Sequence, residues 1–494
     1  MVANVCKNKI IRMISCVGIL IWSLDLLAMD VPIYNYPLNY SQTISDYLSS
    51  NAPDYSSPML TPDYQKQRLK DFYNHYFAST PQGLSPWSER MVATVLPYMR
   101  QFELTILEEF NNQNKPFDKR HYAENFQEKT PEWIYSMQQN INLDTIDMKF
   151  FQRQNRAIAI NNTSARALPD DAPDFFHTSI PGQGFPFDNL QCSAIWAGTP
   201  LYVLSITHDK AWSLVLTPDG YSAWVKSQDI AYTSPSFIKQ WQEHAKKGLV
   251  AITKAGLSIL NDKSQFQFTG YIGAVFPLAT KTEEQLSILI PVKNAHGWAN
   301  IKTAIVKNSD AVEMPLPMSK KNMASILKQL QNRPYGWGGV FFHNDCSQEM
   351  KSIFAPFGIW LPRNSAQQAK LSTSVDLSSR SIDERLDYLR FQGHPLLTLI
   401  YIGGHVMLYV GNHDTENGLN TPITYQNVWG LSPKSKDKRY IIGRAVFFPL
   451  LKSYSELPHV VSLAEKAHFK LVYLDDLYET NGPQSFVQRY SNFR

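Results

Sequence analysis

Cysteine is scarce in this 494-residue chain, with only Cys6, Cys16, Cys192 and Cys346. That is too few for a disulfide framework to organise the fold. A dominant charge is missing too. The 47 Lys and Arg stand against 43 Asp and Glu, a net +4 with no run of five like charges, which argues against a nucleic-acid binder. No H-E-x-x-H helix and no paired-cysteine spacing occurs, so a zinc enzyme has little support and neither metal nor cofactor is called for. Beyond the N-terminus no apolar run approaches membrane-spanning length. Gly 23 and Pro 30 are too few for a collagen-like or low-complexity chain. What is there is a globular mixture, 44% hydrophobic and 18% charged, able to bury enough apolar surface to offset chain entropy. At roughly 100 to 200 residues per domain the length implies about three domains, with four possible.

Lys7, Lys9 and Arg12 precede an apolar stretch at 13–24, and Leu26, Leu27 and Ala28 supply a small-residue cleavage site before Met29. This is the pattern of a secretory signal peptide over 1–28. Arg12 and Asp25 bound the stretch, short of the roughly 20 uninterrupted apolar residues of a permanent anchor. Cys16 follows Arg12 too closely for a lipoprotein signal. The leader carries three basic residues and one acidic residue, so its removal lowers the net charge from +4 to +2 and leaves Cys192 and Cys346 as the mature cysteines. The expected product is a soluble protein without stable membrane insertion. The two cysteines either form one long-range bridge or leave Cys346 as a thiol with another task.

Residues 30–66, rich in Tyr, Pro, Asn and Ser, read as an extended arm over other surfaces. Ser85 and Pro86 then look like the N-cap and first turn of a helix carrying Met91, Val92, Val95 and Leu96. Pro97 is expected to kink or end it before Phe102, Ile106 and Phe110 continue the stripe. A small-residue and Pro-rich segment near 164–173 marks a boundary. Beyond it, period-two runs at 201–207, 211–216 and 221–225, separated by His208-Asp209-Lys210 and Pro218-Asp219-Gly220, read as hairpins of a small barrel. A helix-compatible stretch around 240–247 leads to a second β set at 249–253, 271–276, 286–290 and 298–301. Gly297-Trp298-Ala299 there echoes Gly220 with Trp224 and Val225, so two similar modules are expected. Residues 319–330 read as a helix with Met323, Ile326, Leu327 and Leu330 on one face.

Chemistry concentrates next. Asp345 is placed to cap a helix and Gln348, three residues on, to bond back to the cap N–H. Met350, Ile353, Phe354 and Phe357 follow at i, i+3, i+4, i+7, so Cys346 falls in the first helical turn, where free N–H groups and the positive dipole end favour a thiolate. A cysteine merely buried at a helix start has the same local pattern. A thiolate nucleophile also wants an imidazole, and a third polar group to orient it. His405 begins a strand-like run at 406–410 after Gly403-Gly404, on the face of Met407 and Tyr409, and the next strand, around 423–428, offers Gln426 as the orienting group. His343, His394 and His413 lie in polar or Pro- and Gly-rich loops and read as surface histidines.

Tyr335-Gly336-Trp337-Gly338-Gly339, Asp345-Cys346-Ser347, Leu361-Pro362-Arg363-Asn364-Ser365 with Gln368, Gly404-His405-Val406 running to Gly411, and Trp429-Gly430 resemble, in order and spacing, the NlpC/P60 cysteine peptidases. Gly182, Gly184, Phe185, Pro186, Phe187, Asp188 and Gln191, ahead of the first β set, resemble the tandem bacterial SH3 modules found beside such peptidases; a generic β spacer is the other reading. By layout the likeness is greatest to secreted γ-D-glutamyl-L-diamino acid endopeptidases. The resemblance implies an α+β architecture. A leader at 1–28 and a helical region at 29–165 precede SH3-like barrels at 166–246 and 247–315 and a papain-like domain at 316–494.

It further implies a secreted, periplasmic enzyme acting on peptidoglycan stem peptides or released muropeptides, at the γ-D-glutamyl to diaminopimelate bond. Cys346 is then the nucleophile, His405 the base and Gln426 the third residue, with Tyr335 and the Cys346 N–H at the oxyanion. Trp337, Asp345, Ser347 and Ser365 line the groove, and Asp188 pairs with a substrate amine. Capping remains an account of Asp345 and Ser365, and core packing of Trp337. Two departures stand out: Gln426 where the family commonly has His, and Gln348 where a small residue is frequent. A wall-binding protein with a decayed catalytic domain, or an amidase or acyltransferase on the same fold, are the competing functions.

Overall fold

Turn chemistry shapes the middle of the chain. Thr207-His208-Asp209-Lys210 and Thr217-Pro218-Asp219-Gly220 are two turns of one design, in which the Thr hydroxyl donates to the Asp carboxylate two residues on and Lys210 and Gly220 take φ of 62° and 68°. They join Pro200–Ile206 to Trp212–Leu216 and that strand to Ser222–Lys226. In this computed structural model, which describes residues 29–146, 150–415 and 418–478, these strands belong to a seven-stranded sheet that closes the first barrel. The sheet starts at Arg156–Ala159, ahead of the boundary expected at 166, because that strand pairs with both Pro200–Ile206 and Ile230–Tyr232. The expected leader at 1–28 lies outside the described residues.

The second barrel has five strands, ordered Ala299–Lys307, Gln285–Lys293, Val275–Lys281, Leu249–Ile252 and Ala311–Glu313. A further hairpin, Leu257–Leu260 with Phe266–Gly270, escaped the sequence reading; Leu260 and Phe266 point to solvent, which blurs its alternation. Between the barrels the helix Pro235–Lys247, capped by Ser234, buries Phe237, Ile238, Trp241 and Ala245.

The 22-residue helix Glu89–Phe110 corrects two expectations. Its N-cap position is Ser88; Ser85 donates instead to the Ala78 carbonyl and accepts from Trp87 N–H. Of the kink or end expected at Pro97, the end does not occur, since the helix runs on to Phe110. The hydrogen bond Pro97 cannot make belongs to the carbonyl of Ala93, and both residues face solvent, where water replaces the missing donor.

The N-terminal arm wraps the C-terminal domain. Met29–Pro32 adds a parallel strand to the edge strand Lys438–Pro449, and the Gln42 side chain both donates to the Phe447 carbonyl and accepts from its N–H, imitating one more strand residue. Tyr64 and Gln65, on the helix Pro62–Tyr76, donate to carbonyls of Leu474 and of Leu316 and Phe357. The arm thus covers a sheet edge that would otherwise offer open backbone groups.

That C-terminal sheet has seven strands, ordered Met29–Pro32, Lys438–Pro449, Gly418–Leu431, Val406–Thr415, Thr398–Tyr401, Lys470–Tyr473 and Val375–Asp376. One face buries Val406, Leu408, Val410 and Tyr425 against the helix Cys346–Phe354; the other buries Met407, Tyr409 and Phe448 against Leu386 and Leu389 of the helix Ile382–Gln392. Among the described residues no helix is long and apolar enough to cross a membrane.

The first barrel is seated directly on this domain. Gly338 has φ 56°, and a Cβ built on it would overlap the Gln191 carbonyl; Gly339 meets Ala194 in the same way. Gly338→Ala is therefore expected to combine left-handed backbone strain with a backbone clash, costing about 2 kcal/mol or more. A lowered thermal midpoint would register it, and an unchanged one would show that the seam can open without cost.

Candidate active site

The helix Cys346–Phe354 begins where the sequence placed it. Asp345 accepts the Gln348 N–H at 2.9 Å, and Cys346 is the first helical residue. The return half of the expected capping box is not made, since the buried Gln348 Oε1 has no hydrogen-bond partner. Arg363 holds the cap instead. Its Nη2 and Nη1 donate to the two Asp345 oxygens at 2.6 and 3.0 Å, Nη1 also donates to Ser347 Oγ at 2.8 Å, and Nε reaches Ser193 Oγ of the first barrel at 2.8 Å. A planar fork of donors satisfies both carboxylate oxygens at once, which a lysine could not do. Sequence reasoning quoted Arg363 without giving it a role.

His405 and Gln426 come together as expected. His405 Nε2 lies 2.7 Å from Gln426 Oε1, while the Cys346 thiol lies 4.0 Å from the carbonyl of Gly404, the residue before His405. Gln426 is fully buried, and its Nε2 donates to Thr424 Oγ1 at 3.0 Å.

A cavity of about 430 Å³ opens at this point, lined by Tyr335, Trp337, Asp345, Cys346, Ser347 and Ser365. Trp337 is 39% exposed with its ring near Phe187, so it is a wall and not core. Ser365 is not the cap of its short helix; Asn364 is, accepting from Ala366 N–H at 2.8 Å. Asp188 is absent from the cavity wall. One of its oxygens accepts the N–H groups of Asp174 and Leu190 and the other is held by Arg166, so it supports the barrel's entry loop and its charge is already matched. The far wall is one the sequence did not reveal: Phe102, Glu103, Ile106 and Glu109 of the helix Glu89–Phe110. Both Cys192 and Cys346 are thiols and line this one cavity, with no disulfide between them.

Comparison with known proteins agrees with this geometry. Residues 173–226 match an SH3 domain of SH3b1 type, 234–283 an SH3 domain of SH3b2 type, and 332–432 the NlpC/P60 family. The chain carries an NlpC/P60 domain behind two SH3b domains. Over 202 residues it is 26% identical to a γ-D-glutamyl-L-lysine dipeptidyl-peptidase of Bacillus subtilis (strain 168), covering 39% of this chain and 60% of that relative's length. An NlpC/P60 endopeptidase from Photobacterium damselae subsp. piscicida shares the fold at a TM-score of 0.76, with 24% identity over 91% of this chain and 100% of the other. An NlpC/P60 family protein from Bacillus cereus ATCC 10987 overlaps less, at a TM-score of 0.41 and 15% identity over 62% of this chain and 98% of that one.

The electrostatics of the NlpC/P60 domain correct one expectation. Burial, followed by the neighbouring Asp345 charge, pushes the Cys346 thiol up to about 12, outweighing the Val406 and Ser347 N–H groups and Arg363, which act in the other direction. The helix start is favourable to a thiolate but loses to desolvation. Burial likewise lowers His405 from its ordinary 6.5, with Gln426 opposing. At neutral pH Cys346 is therefore a neutral thiol and His405 a neutral imidazole. Burial, with the nearby Cys346 and Asp345 charges, holds Tyr335 well above the ordinary tyrosine value, so its hydroxyl stays available as a donor.

Alkylation of Cys346 by iodoacetamide in the substrate-free protein is accordingly expected to keep accelerating past pH 9, since ionisation comes only near 12. A rate plateau below pH 7 would contradict the buried-thiol assignment. His405 must be unprotonated to accept the thiol proton, so the acid limb of kcat/KM is expected below 6.5, at a pH set by its depressed value. A limb above 7 would be the contrary outcome.

Proposed function

We propose that the protein is a secreted, periplasmic cysteine peptidase that cleaves peptidoglycan stem peptides between γ-D-glutamate and diaminopimelate. What carries the reading is a helix-start Cys346 in the cavity wall, 4.0 Å from the carbonyl of Gly404, together with the next residue, His405, whose far nitrogen bonds to Gln426, all within an NlpC/P60 domain. Cys346 Sγ attacks the γ-carbonyl carbon while its proton passes to His405. The Cys346 N–H and the Tyr335 hydroxyl take the oxyanion. His405 then protonates the leaving amine, and water releases the acyl group by the reverse path. Gln426 accepts the imidazole N–H, the task a histidine performs elsewhere in the family, so its presence does not by itself favour a decayed binder.

The name of the Bacillus subtilis relative supports a γ-D-glutamyl bond to a diamino acid. A cavity of about 430 Å³ suits a short peptide, and its far wall favours released fragments over a strand of intact wall. Asp188, expected to meet the free amine of such a fragment, is already paired with Arg166 and lies outside the cavity wall. Glu103 is better placed. It lies in the cavity wall, is 1% exposed, has Trp224 Nε1 as its donor at 2.9 Å, and is pushed up to about 8 by burial, with no cation paired to it among the described residues. An arriving ammonium would restore its charge.

Incubation of the purified protein with L-Ala-γ-D-Glu-diaminopimelate is expected to release diaminopimelate, read by mass spectrometry, and Cys346→Ala to abolish release. Cleavage elsewhere, or transfer to an added amine, would instead support an amidase or acyltransferase. Glu103→Gln is expected to raise KM for the free-amine peptide about tenfold while leaving the already poor N-acetylated peptide unchanged. Equal losses on both peptides would remove Glu103 from substrate recognition.

A further inference from the structure

The hydrogen bonds behind His405 form a chain whose direction is set by its last member. Thr424 and Gln426 are two residues apart on the strand Gly418–Leu431 and so share a face. On that face they stand opposite Tyr409 and, by continuation of the register, Met407, the positions that follow His405 in alternation. Thr424 and Gln426 are fully buried and Phe448 nearly so, which leaves the protein's own groups to satisfy them.

The donors can be counted. A threonine hydroxyl has one proton, and a backbone carbonyl only accepts. Thr424 Oγ1 lies 2.8 Å from the Phe448 carbonyl, so its proton is spent there. Towards Gln426, 3.0 Å away, Thr424 can then only accept, and the group facing it must be the amide NH₂. The carbonyl end of Gln426 is thereby turned to His405 Nε2 at 2.7 Å. A carbonyl cannot donate, so Nε2 carries the ring hydrogen and Nδ1 keeps its lone pair for the Cys346 proton. With the amide reversed, an NH₂ would face Nε2, the ring hydrogen would move to Nδ1, and the imidazole could not accept from sulfur. Two carbonyl oxygens, those of Phe448 and Gln426, would also compete for the one Thr424 proton.

We propose that Thr424 is a positioning residue that fixes the orientation of Gln426 and, through it, the base-competent tautomer of His405. The assignment matters more here than in a site with a third histidine or a carboxylate, because an amide has a donor end and an acceptor end and something must choose between them. This inference rests on the reading of Cys346 and His405 as nucleophile and base, but its first test does not depend on turnover.

Ring-¹⁵N-labelled histidine in the full chain, with the His405 signals identified by their loss in His405→Ala, reports the tautomer directly. The wild-type protein is expected to show hydrogen on Nε2; a wild-type ring with hydrogen on Nδ1 overturns the proposal without recourse to any variant. Thr424→Val removes the hydroxyl and keeps the shape. It is expected to populate the Nδ1–H tautomer and to lower kcat about tenfold with KM within twofold, as loss of one orienting hydrogen bond implies, whereas Thr424→Ser restores both readouts. A Val variant that folds with wild-type tautomer and kcat overturns the proposal, as does a Ser variant as impaired as Val. If the wild type fails to cleave any stem peptide, the peptidase reading falls while the tautomer measurement still decides the role of Thr424.

Discussion

The bidentate pair between Arg363 and Asp345 is the constraint around which the site is built. Asp345 alone could cap the nucleophile helix, as many aspartates do. Buried at 8% exposure beside the proposed nucleophile, whose ionisation its charge opposes, it would also work against the proposed chemistry unless that charge were matched. Arg363 matches it, draws Ser347 into the same network and extends Nε to Ser193 of the first barrel. Removing one member of such a buried pair typically costs about 3–5 kcal/mol, because the other is left charged without a partner. Helix start, groove wall and domain seam therefore stand or fall together, and the first SH3b domain belongs to the active site as well as to the groove's edge.

The same burial explains why the site rests in its neutral form. A thiolate and imidazolium exposed to water could persist between turnovers. In this cavity both charges would be desolvated, and Asp345 lies close enough to disfavour the anion and to favour the cation. In the proposed reaction the free energy that separates charge would come from the bound substrate, whose carbonyl oxygen would take the developing charge near the Cys346 N–H. Such an arrangement also protects the sulfur from chance electrophiles, since only the thiolate is reactive.

What could be read in the sequence followed the range over which each signal acts. The i, i+3, i+4, i+7 stripe after Cys346 and the alternation around His405 are local, and both elements formed as expected. The two small barrels were visible in their turn residues. The helix start alone points to a lowered thiol value; the opposing desolvation comes from burial in a core assembled from residues remote in sequence. Asp188 carried a motif's expectation but is consumed by Arg166 and two loop N–H groups. Pro97 was read as a breaker because periodicity cannot say which carbonyl loses its donor. Glu103 gave one usable sign, a carboxylate on the otherwise apolar stripe of the helix Glu89–Phe110, but nothing local says that the stripe reaches another domain's cavity.

That last residue shows how labour is divided. The proposed reacting groups lie within the NlpC/P60 domain: Cys346 at a helix start, His405 just ahead of the strand Val406–Thr415, and Tyr335 in the loop before Trp337. The rest of the cavity wall is shared: Trp337 and Ser365 come from the same domain, Gln191 and Cys192 from the first barrel, and Glu103 and Glu109 from the helical region. On the proposed reading, a change at Glu103 alters which peptide fits without touching the groups behind His405, whereas a change behind His405 alters proton transfer for every peptide alike.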